Sequence, residues 1–249
     1  MSTQTLEPPT VILRLCTHCG QAHGSIFRIC PDCLEAVQKP QIEAEQTAAR
    51  EEIRAKRARE WLALCPLDYR STNWRDHAEL SAVCRTLAKD WLPQWESEER
   101  GLGIHGPSGM GKTRAMFAIL RRLHFAGVGV HYVEAVKFDE QARIADDLRA
   151  PWSLKGPALD FLHRCKSVRV LFFDDLGKES SILATAKHMH DTFEHRGKHR
   201  LPLLWTSERT GEELARFLGE NYADGIIRRL RRSCAIHFAE PPALPEPHE

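Results

Sequence analysis

The stretch Gly106-Pro-Ser-Gly-Met-Gly111-Lys112-Thr113 constrains this chain more than any other. It fits the pattern GxxxxGK[ST], after an apolar run at residues 102–105 and before an amphipathic run at 112–126. The pattern is informative only between a strand and a helix, and here it has both. Glycines at 106, 109 and 111 let the backbone curl so that successive N–H groups point inward, and the following helix N-terminus adds partial positive charge. Residues Gly106, Pro107, Ser108, Gly109, Met110, Gly111, Lys112, Thr113 and Arg114 are therefore the expected phosphate cradle. Lys112 should reach the β and γ phosphates of a nucleoside triphosphate, and the Thr113 hydroxyl should take a position on Mg²⁺.

From Gly101 onward short apolar runs alternate with longer amphipathic ones, the pattern of βα units around a parallel sheet. Strands are expected at 102–105, 130–133, 168–173, 203–206 and 235–238, and helices at 112–126, 135–149, 181–196, 211–218 and 222–232. The fold class is α/β, a P-loop domain with a five-stranded parallel sheet flanked by helices. The run at 168–173 ends in Asp174-Asp175, two carboxylates that would repel each other unless a cation or solvent compensates. Asp174 is the expected second Mg²⁺ partner, and Asp175 the acid that orients an attacking water.

Four of the eight cysteines form two CxxC pairs, Cys16-Thr-His-Cys19 and Cys30-Pro-Asp-Cys33. Four thiolates on two knuckles suit a tetrahedral structural Zn²⁺ site, whose closed shell leaves no position for catalysis. His18 and His23 are alternative ligands. Such a small segment cannot stabilise itself by core burial, so metal binding should supply most of its folding free energy. Cys65, Cys84, Cys165 and Cys234 are expected as buried free thiols.

With 35 Lys and Arg against 34 Asp and Glu, no overall basic field draws this chain to nucleic acid, so any such contact must be local. No apolar run approaches a membrane span, and the first residues lack a secretory signal, so a cytoplasmic protein is expected. Ala, Glu, Arg or Lys fill 15 of the 20 positions at 41–60, predicting a solvated helix after Pro40. A second helix is predicted over 76–92, ending before Pro93. Trp61, Trp74, Trp91 and Trp95 are read as helix packing, and His188, His190, Asp191 and His195 as a polar helix face rather than a second metal site.

The P-loop, the strand ending Asp-Asp-Leu-Gly-Lys-Glu and the later Leu-Leu-Trp-Thr206-Ser207-Glu208, with the lead-in Cys65-Pro-Leu-Asp-Tyr69-Arg70, together resemble the AAA+ ATPases of the DnaC/DnaI helicase-loader group. The IstB transposition helpers look similar. The resemblance spans residues 64–238 and implies sheet order 5-1-4-3-2. It implies a γ-phosphate sensor at this strand end, but Glu208 stands where the family has Asn, which leaves the role on Thr206 or Ser207, or absent. It also implies that Gly225-Ile-Ile-Arg228-Arg229-Leu-Arg231-Arg232 offers Arg229 to the nucleotide of a neighbouring subunit, while Arg228, Arg231 and Arg232 are candidates for DNA phosphates. Only 11 residues follow Phe238, so no C-terminal helical lid is expected.

The implied organisation is a zinc-ribbon docking module at 1–40, a helical linker at 41–64, the AAA+ ATPase domain at 65–240 and a disordered tail at 241–249. The implied activity is ATP hydrolysis with ATP, Mg²⁺ and Zn²⁺ bound. The implied partners are a replicative DNA helicase, single-stranded DNA and further copies of the chain meeting at the ATP site, with no membrane. A transposition helper and a scaffold that holds nucleotide with little turnover are the alternatives.

Overall fold

The computed structural model describes residues 13–24, 28–72, 81–98, 100–178, 183–218 and 222–240, with backbone alone at 92–98 and 183. Trp74, the Trp95 side chain and the tail expected at 241–249 lie outside the described residues. The chain divides into two compact units, Met1–Lys56 and Arg57–Glu249.

In the first unit, strands β1 (Arg14–Leu15) and β2 (Ala22–His23) pair antiparallel, with Arg14 opposite His23. Helix α1 (Pro31–Leu64) starts on a proline, whose missing N–H would be unsatisfied there anyway, with Asp32 in the favourable first turn. The helix thus begins before Pro40 and runs through it, where the composition suggested a start after it. Ala36, whose carbonyl loses its intrahelical donor at Pro40, is exposed, so water can satisfy it. The division between the two units falls within α1.

In the second unit, α2 (Ala82–Glu98) and β3 (Gly101–His105) lead to α3 (Lys112–Phe125). There follow β4 (Val130–Glu134), α4 (Ala135–Asp146), α5 (Trp152–Ser167) and β5 (Val170–Asp174). The chain continues through α6 (Leu183–Lys198), β6 (Leu203–Ser207), α7 (Gly211–Leu218), α8 (Ala223–Ser233) and β7 (Cys234–Phe238). Five parallel strands lie in the order β4-β5-β6-β3-β7. Counted from the P-loop strand this is 5-1-4-3-2, as the resemblance implied.

Alternate residues of each strand feed opposite faces of the sheet. Val170 and Phe172 pack with Phe117, Leu120 and Trp61 under α2 and α3, whereas Leu171 and Phe173 pack with Phe138, Leu162 and Phe193 under α4, α5 and α6. Every residue of β5 and β6 is buried, which explains the apolar runs at 170–173 and 203–205 that precede the polar strand ends Asp174 and Thr206-Ser207. Cys65, Cys84, Cys165 and Cys234 are buried free thiols, and Trp61 and Trp91 are core residues. No helix among the described residues is long and apolar enough to cross a membrane.

Two helices depart from the sequence reading. Helix α5 lies where the sequence reading places no element, and it contains Gly156-Pro157. Yet Ala158, Leu162 and Cys165 form a buried stripe at helical spacing, and that burial outweighs the one bond lost at Pro157. Helix α2 runs through Pro93 instead of ending before it. The Lys89 carbonyl, which Pro93 cannot serve, accepts from Arg122 Nη1 at 3.1 Å, and the same nitrogen reaches the Ala88 carbonyl at 3.1 Å. A tertiary donor thus replaces the missing helical one.

Candidate functional site

The P-loop joins β3 to α3 and is anchored at its start on both sides. Gly106 N–H donates to the Ser207 carbonyl at 3.1 Å, and Ala239 N–H donates to the His105 carbonyl at 2.8 Å. Gly106 has φ 140°, and a Cβ there would lie 2.7 Å from the Ala239 carbonyl oxygen, so only glycine fits. Gly111, at φ 77°, caps α3 in the left-handed region. Lys112 is 6% exposed and curls over the loop, with Nζ donating to the Gly106 and Pro107 carbonyls at 2.8 and 2.7 Å. Burial pulls its pKa down, opposed by the charges of Glu208 and Asp175. An arriving phosphate would give this desolvated ammonium a full counter-charge, which the loop carbonyls lack.

Strand pairing brings the expected metal ligands together. Thr113 Oγ1 donates to Asp174 Oδ1 at 2.9 Å, and Thr206 Oγ1 donates to the same oxygen. Thr206 Oγ1 also accepts from the Asp175 N–H at 3.0 Å. Asp174 is 5% exposed, and burial raises its pKa to about 6 despite the two hydroxyl donors. A buried carboxylate with no basic partner among its hydrogen bonds, beside the P-loop threonine, fits Mg²⁺: hard oxygen ligands on a site that a cation would relieve. Thr113 and Asp174 are the residues that would hold it, and when bound it would neutralise phosphate charge.

Asp175 takes φ 58°, a left-handed conformation that Asp tolerates, and its carboxylate pairs with Lys178 Nζ at 3.0 Å. Lys178 also pairs with Glu208 Oε1 at 3.1 Å. Hydrogen bonds from Lys178 and Ser108, together with the Lys112 charge, hold the Glu208 carboxyl below its ordinary range. Glu208 thus faces the P-loop where the resemblance expects Asn. Ser207 is fully buried with its hydroxyl committed, donating to the Leu176 carbonyl at 2.6 Å and accepting from the Arg209 N–H at 3.0 Å. Of the two sensor candidates, Thr206 contacts the metal-side acid and Ser207 braces the loop after β5.

Arg114 turns away from the loop: it donates to the Asp68 carbonyl at 3.3 Å and to Thr72 Oγ1 at 3.4 Å, and its guanidinium lies 5.5 Å from the centre of the Tyr69 ring. Arg229, on α8, forms an ion pair with Glu194 and donates to the Gly225 carbonyl at 2.7 Å. Arg228, Arg231 and Arg232 on the same helix are exposed.

Sequence reasoning missed Lys178 and Glu134. Glu134 ends β4 opposite Asp174 in register and accepts from the Tyr132 hydroxyl at 2.9 Å, adding a further negative charge near the metal-side acid. Its signal was an acid closing an apolar strand. Lys178 stood in the quoted Asp-Asp-Leu-Gly-Lys run, but only the turn brings it onto both acids.

In the first unit the Sγ atoms of Cys16, Cys19, Cys30 and Cys33 all lie within 4.8 Å of one another. Tetrahedral Zn–S bonds of about 2.3 Å put sulfurs about 3.8 Å apart, and Cys19 Sγ and Cys30 Sγ are separated by 3.7 Å. Cys16 Sγ accepts the N–H groups of Cys30 and His18 at 3.3 and 3.4 Å, and Cys30 Sγ accepts that of Cys33 at 3.4 Å. Donors of this kind, led by Cys30 N–H, lower the Cys16 thiol to about 5, whereas the side chains of Cys30 and Cys19 push Cys33 up. Four such thiols can all ionise only around a cation, and the donor set fits Zn²⁺. This is the only metal-ligand group of three or more His, Cys, Asp or Glu among the described residues.

No family model matches the chain, and no curated protein matches it. Solved structures do. A DnaI structure is similar at TM-score 0.57 and 24% identity, covering 72% of this chain and 93% of its own. The structure of a DnaC helicase loader is similar at TM-score 0.54 and 18% identity, covering 70% of this chain and 100% of its own. AMPPCP-bound DnaA from Aquifex aeolicus is similar at TM-score 0.56 and 20% identity over 71% of this chain, which spans 51% of that protein's length. The chain has the P-loop AAA+ fold of these structures.

Proposed function

We propose that the chain is an ATP-hydrolysing AAA+ protein that loads a replicative helicase onto single-stranded DNA. The observation that carries the nucleotide part is the cluster of Lys112, Thr113, Asp174 and Thr206 at one end of the parallel sheet, pre-assembled for a phosphate and a divalent cation. DnaI and the DnaC helicase loader share the fold, and the four-cysteine module supplies a separate surface for docking. In this reading Lys112 binds the β and γ phosphates, Thr113 and Asp174 hold Mg²⁺, and Asp175 orients water once Lys178 releases it. Thr206 keeps Asp174 placed, and Arg229 leaves Glu194 to reach the nucleotide of a neighbouring copy.

The test is capture of partners from cells by the full chain against a Cys16→Ser, Cys19→Ser variant. Recovery of a replicative helicase with intact cysteines alone is the expected result. Recovery of a transposase or of DNA alone would move the assignment to a transposition helper. Lys112→Ala should lower nucleotide affinity at least about 100-fold by titration, and undiminished binding would reject the P-loop assignment.

Arg229→Ala should retain binding but lose on the order of 10³-fold in turnover, because a guanidinium supplied between subunits stabilises charge developing on the γ phosphate. A steady-state assay that finds full turnover would place the finger elsewhere. Chelation should remove about one Zn²⁺ per chain and unfold the cysteine module while the ATPase domain keeps its melting transition, as metal analysis and calorimetry would show.

One observation favours a slow or gated ATPase: both acids facing the phosphate cradle, Asp175 and Glu208, are held by Lys178. A single-turnover measurement separates this reading, since a nucleotide-holding scaffold leaves bound ATP intact.

A further inference from the structure

The parallel sheet has a second end, away from the phosphate cradle. The residues entering β3, β6 and β7 line a cavity of about 250 Å³, formed by Arg100, Arg196, Gly197, Arg200, Leu201, Pro202, Arg232 and Ser233. Four of the eight lining residues are arginines, none is acidic and none is aromatic. These strands are neighbours in the order β6-β3-β7, and the register sets Gly101 opposite Cys234 and Leu102 opposite Leu204. Arg200, Arg100 and Arg232 therefore enter the sheet side by side. Adjacent strands lie about 4.8 Å apart, so the row spans about 10 Å. With five-residue strands, roughly 15 Å of sheet separates it from the P-loop.

Arg100, Arg200 and Arg232 are exposed, and none has a carboxylate partner among the described residues. Arg196 forms the buried part of the wall. It is 1% exposed, its two terminal nitrogens are committed to backbone carbonyls, and its Nε–H has no partner. A buried cationic donor left open beside three unpaired guanidinium groups is an incomplete site, and what completes it is an anion with several acceptor oxygens.

We propose that this cavity binds the phosphodiester backbone of a single-stranded nucleic acid. Planar guanidinium forks match phosphate oxygens. A row of three cations fits successive phosphates along one strand better than one free anion, and a lining without aromatic rings makes no stacking platform, so the contact is electrostatic and indifferent to sequence. The inference deepens the DNA-facing part of the proposed function and is independent of the nucleotide chemistry.

The test measures binding of a fluorescent oligothymidylate to the full-length protein by anisotropy across a series of salt concentrations, in a Lys112→Ala background so that the P-loop offers no competing phosphate site. Arg200→Gln with Arg232→Gln should weaken binding at least 10-fold at low salt. It should also make the slope of log affinity against log salt shallower by about 1.4, since each lost contact with a single strand removes about 0.7. Arg50→Gln with Arg54→Gln, exposed on α1 and outside the cavity lining, should leave both quantities unchanged. Equal binding by the first pair and the parent protein, an equal loss in the second pair, or no oligonucleotide binding by the parent would each overturn the proposal. Inorganic phosphate raising the melting temperature of the parent but not of the first pair, with oligonucleotide affinity the same in both, would assign the cavity to a free anion and also overturn it. If the parent binds DNA and only the first pair proves indifferent, this site falls while the proposed function stands.

Discussion

Asp174→Asn should abolish Mg²⁺-dependent ATP turnover and at the same time raise the stability of the metal-free protein. Asn keeps an oxygen able to accept from Thr113 and Thr206, so the local geometry survives, but it offers no charge to the cation. Turnover should fall by on the order of 100-fold or more, because the ion that neutralises the transferring phosphate loses its charged protein partner. Stability should move the other way. Burial raises the Asp174 carboxyl to about 6 in the fold, against about 3.9 in an unfolded chain. A raised acid pKa means the fold disfavours the ionised form. That cost is absent below about pH 4, grows between pH 4 and 6, and is complete above 6.

Two pKa units at about 1.4 kcal/mol each put the cost at pH 7 on the order of 2–3 kcal/mol, and Asn removes it. The variant should melt about 5 °C higher than the parent at pH 7 without Mg²⁺, and the gap should close toward pH 4. Mg²⁺ affinity of the parent should fall as pH drops through 6, because protons compete for the same carboxylate. A variant that melts lower than the parent at pH 7, or that still turns ATP over, would remove Asp174 from the metal site.

Arg196→Met should cost about 3–5 kcal/mol of stability while leaving nucleotide binding intact at temperatures where the protein stays folded. Arg196 Nη1 donates to the carbonyls of Cys165, Lys166 and Val168 at 3.0, 3.4 and 2.9 Å, and Nη2 to those of Arg169 and Pro202 at 3.3 and 2.6 Å. Cys165 and Lys166 stand in the last turn of α5, where carbonyls have no helical donors and the helix dipole is negative. One buried guanidinium therefore caps α5 and ties it to the start of β6. Burial pulls its pKa down to about 10, still far above neutrality, so the charge persists. Met keeps much of the volume and supplies no donor, leaving several buried acceptors unpaired at about 1 kcal/mol or more each. For a domain of this size the melting point should fall on the order of 10 °C. Arg196→Lys should recover only part of the loss, since one ammonium cannot reach five carbonyls. A melt within 2 °C or so of the parent would show that water replaces the guanidinium.

The sequence alone determined the features carried by local spacing. GxxxxGKT between an apolar run and an amphipathic one imposes a strand, a phosphate turn and a helix, because only that order aims the N–H groups inward. Two CxxC pairs place four sulfurs at metal distance, because each knuckle brings its own two together. The central strands were legible because a strand buried on both faces carries a run of consecutive apolar residues, as β5 and β6 do at 170–173 and 203–205, whereas the edge strands β4 and β7 are only partly buried and were read from their place in the alternation with helical segments.

Only the tertiary structure decided the rest, because those features depend on partners distant in sequence. Helix α2 passes Pro93 since Arg122 supplies the donor. Helix α5 survives Gly156-Pro157 since its buried stripe meets the sheet. Ser207 and Thr206 are adjacent hydroxyls in the sequence, and strand pleating sends one to the loop after β5 and the other to Asp174. Lys178 joins Asp175 to Glu208, and Arg100, Arg200 and Arg232 form one row, only because parallel pairing lines up positions that the chain keeps far apart. Spacing along the chain specifies a motif whose parts are neighbours, whereas a site assembled across strands is specified by the register of the sheet.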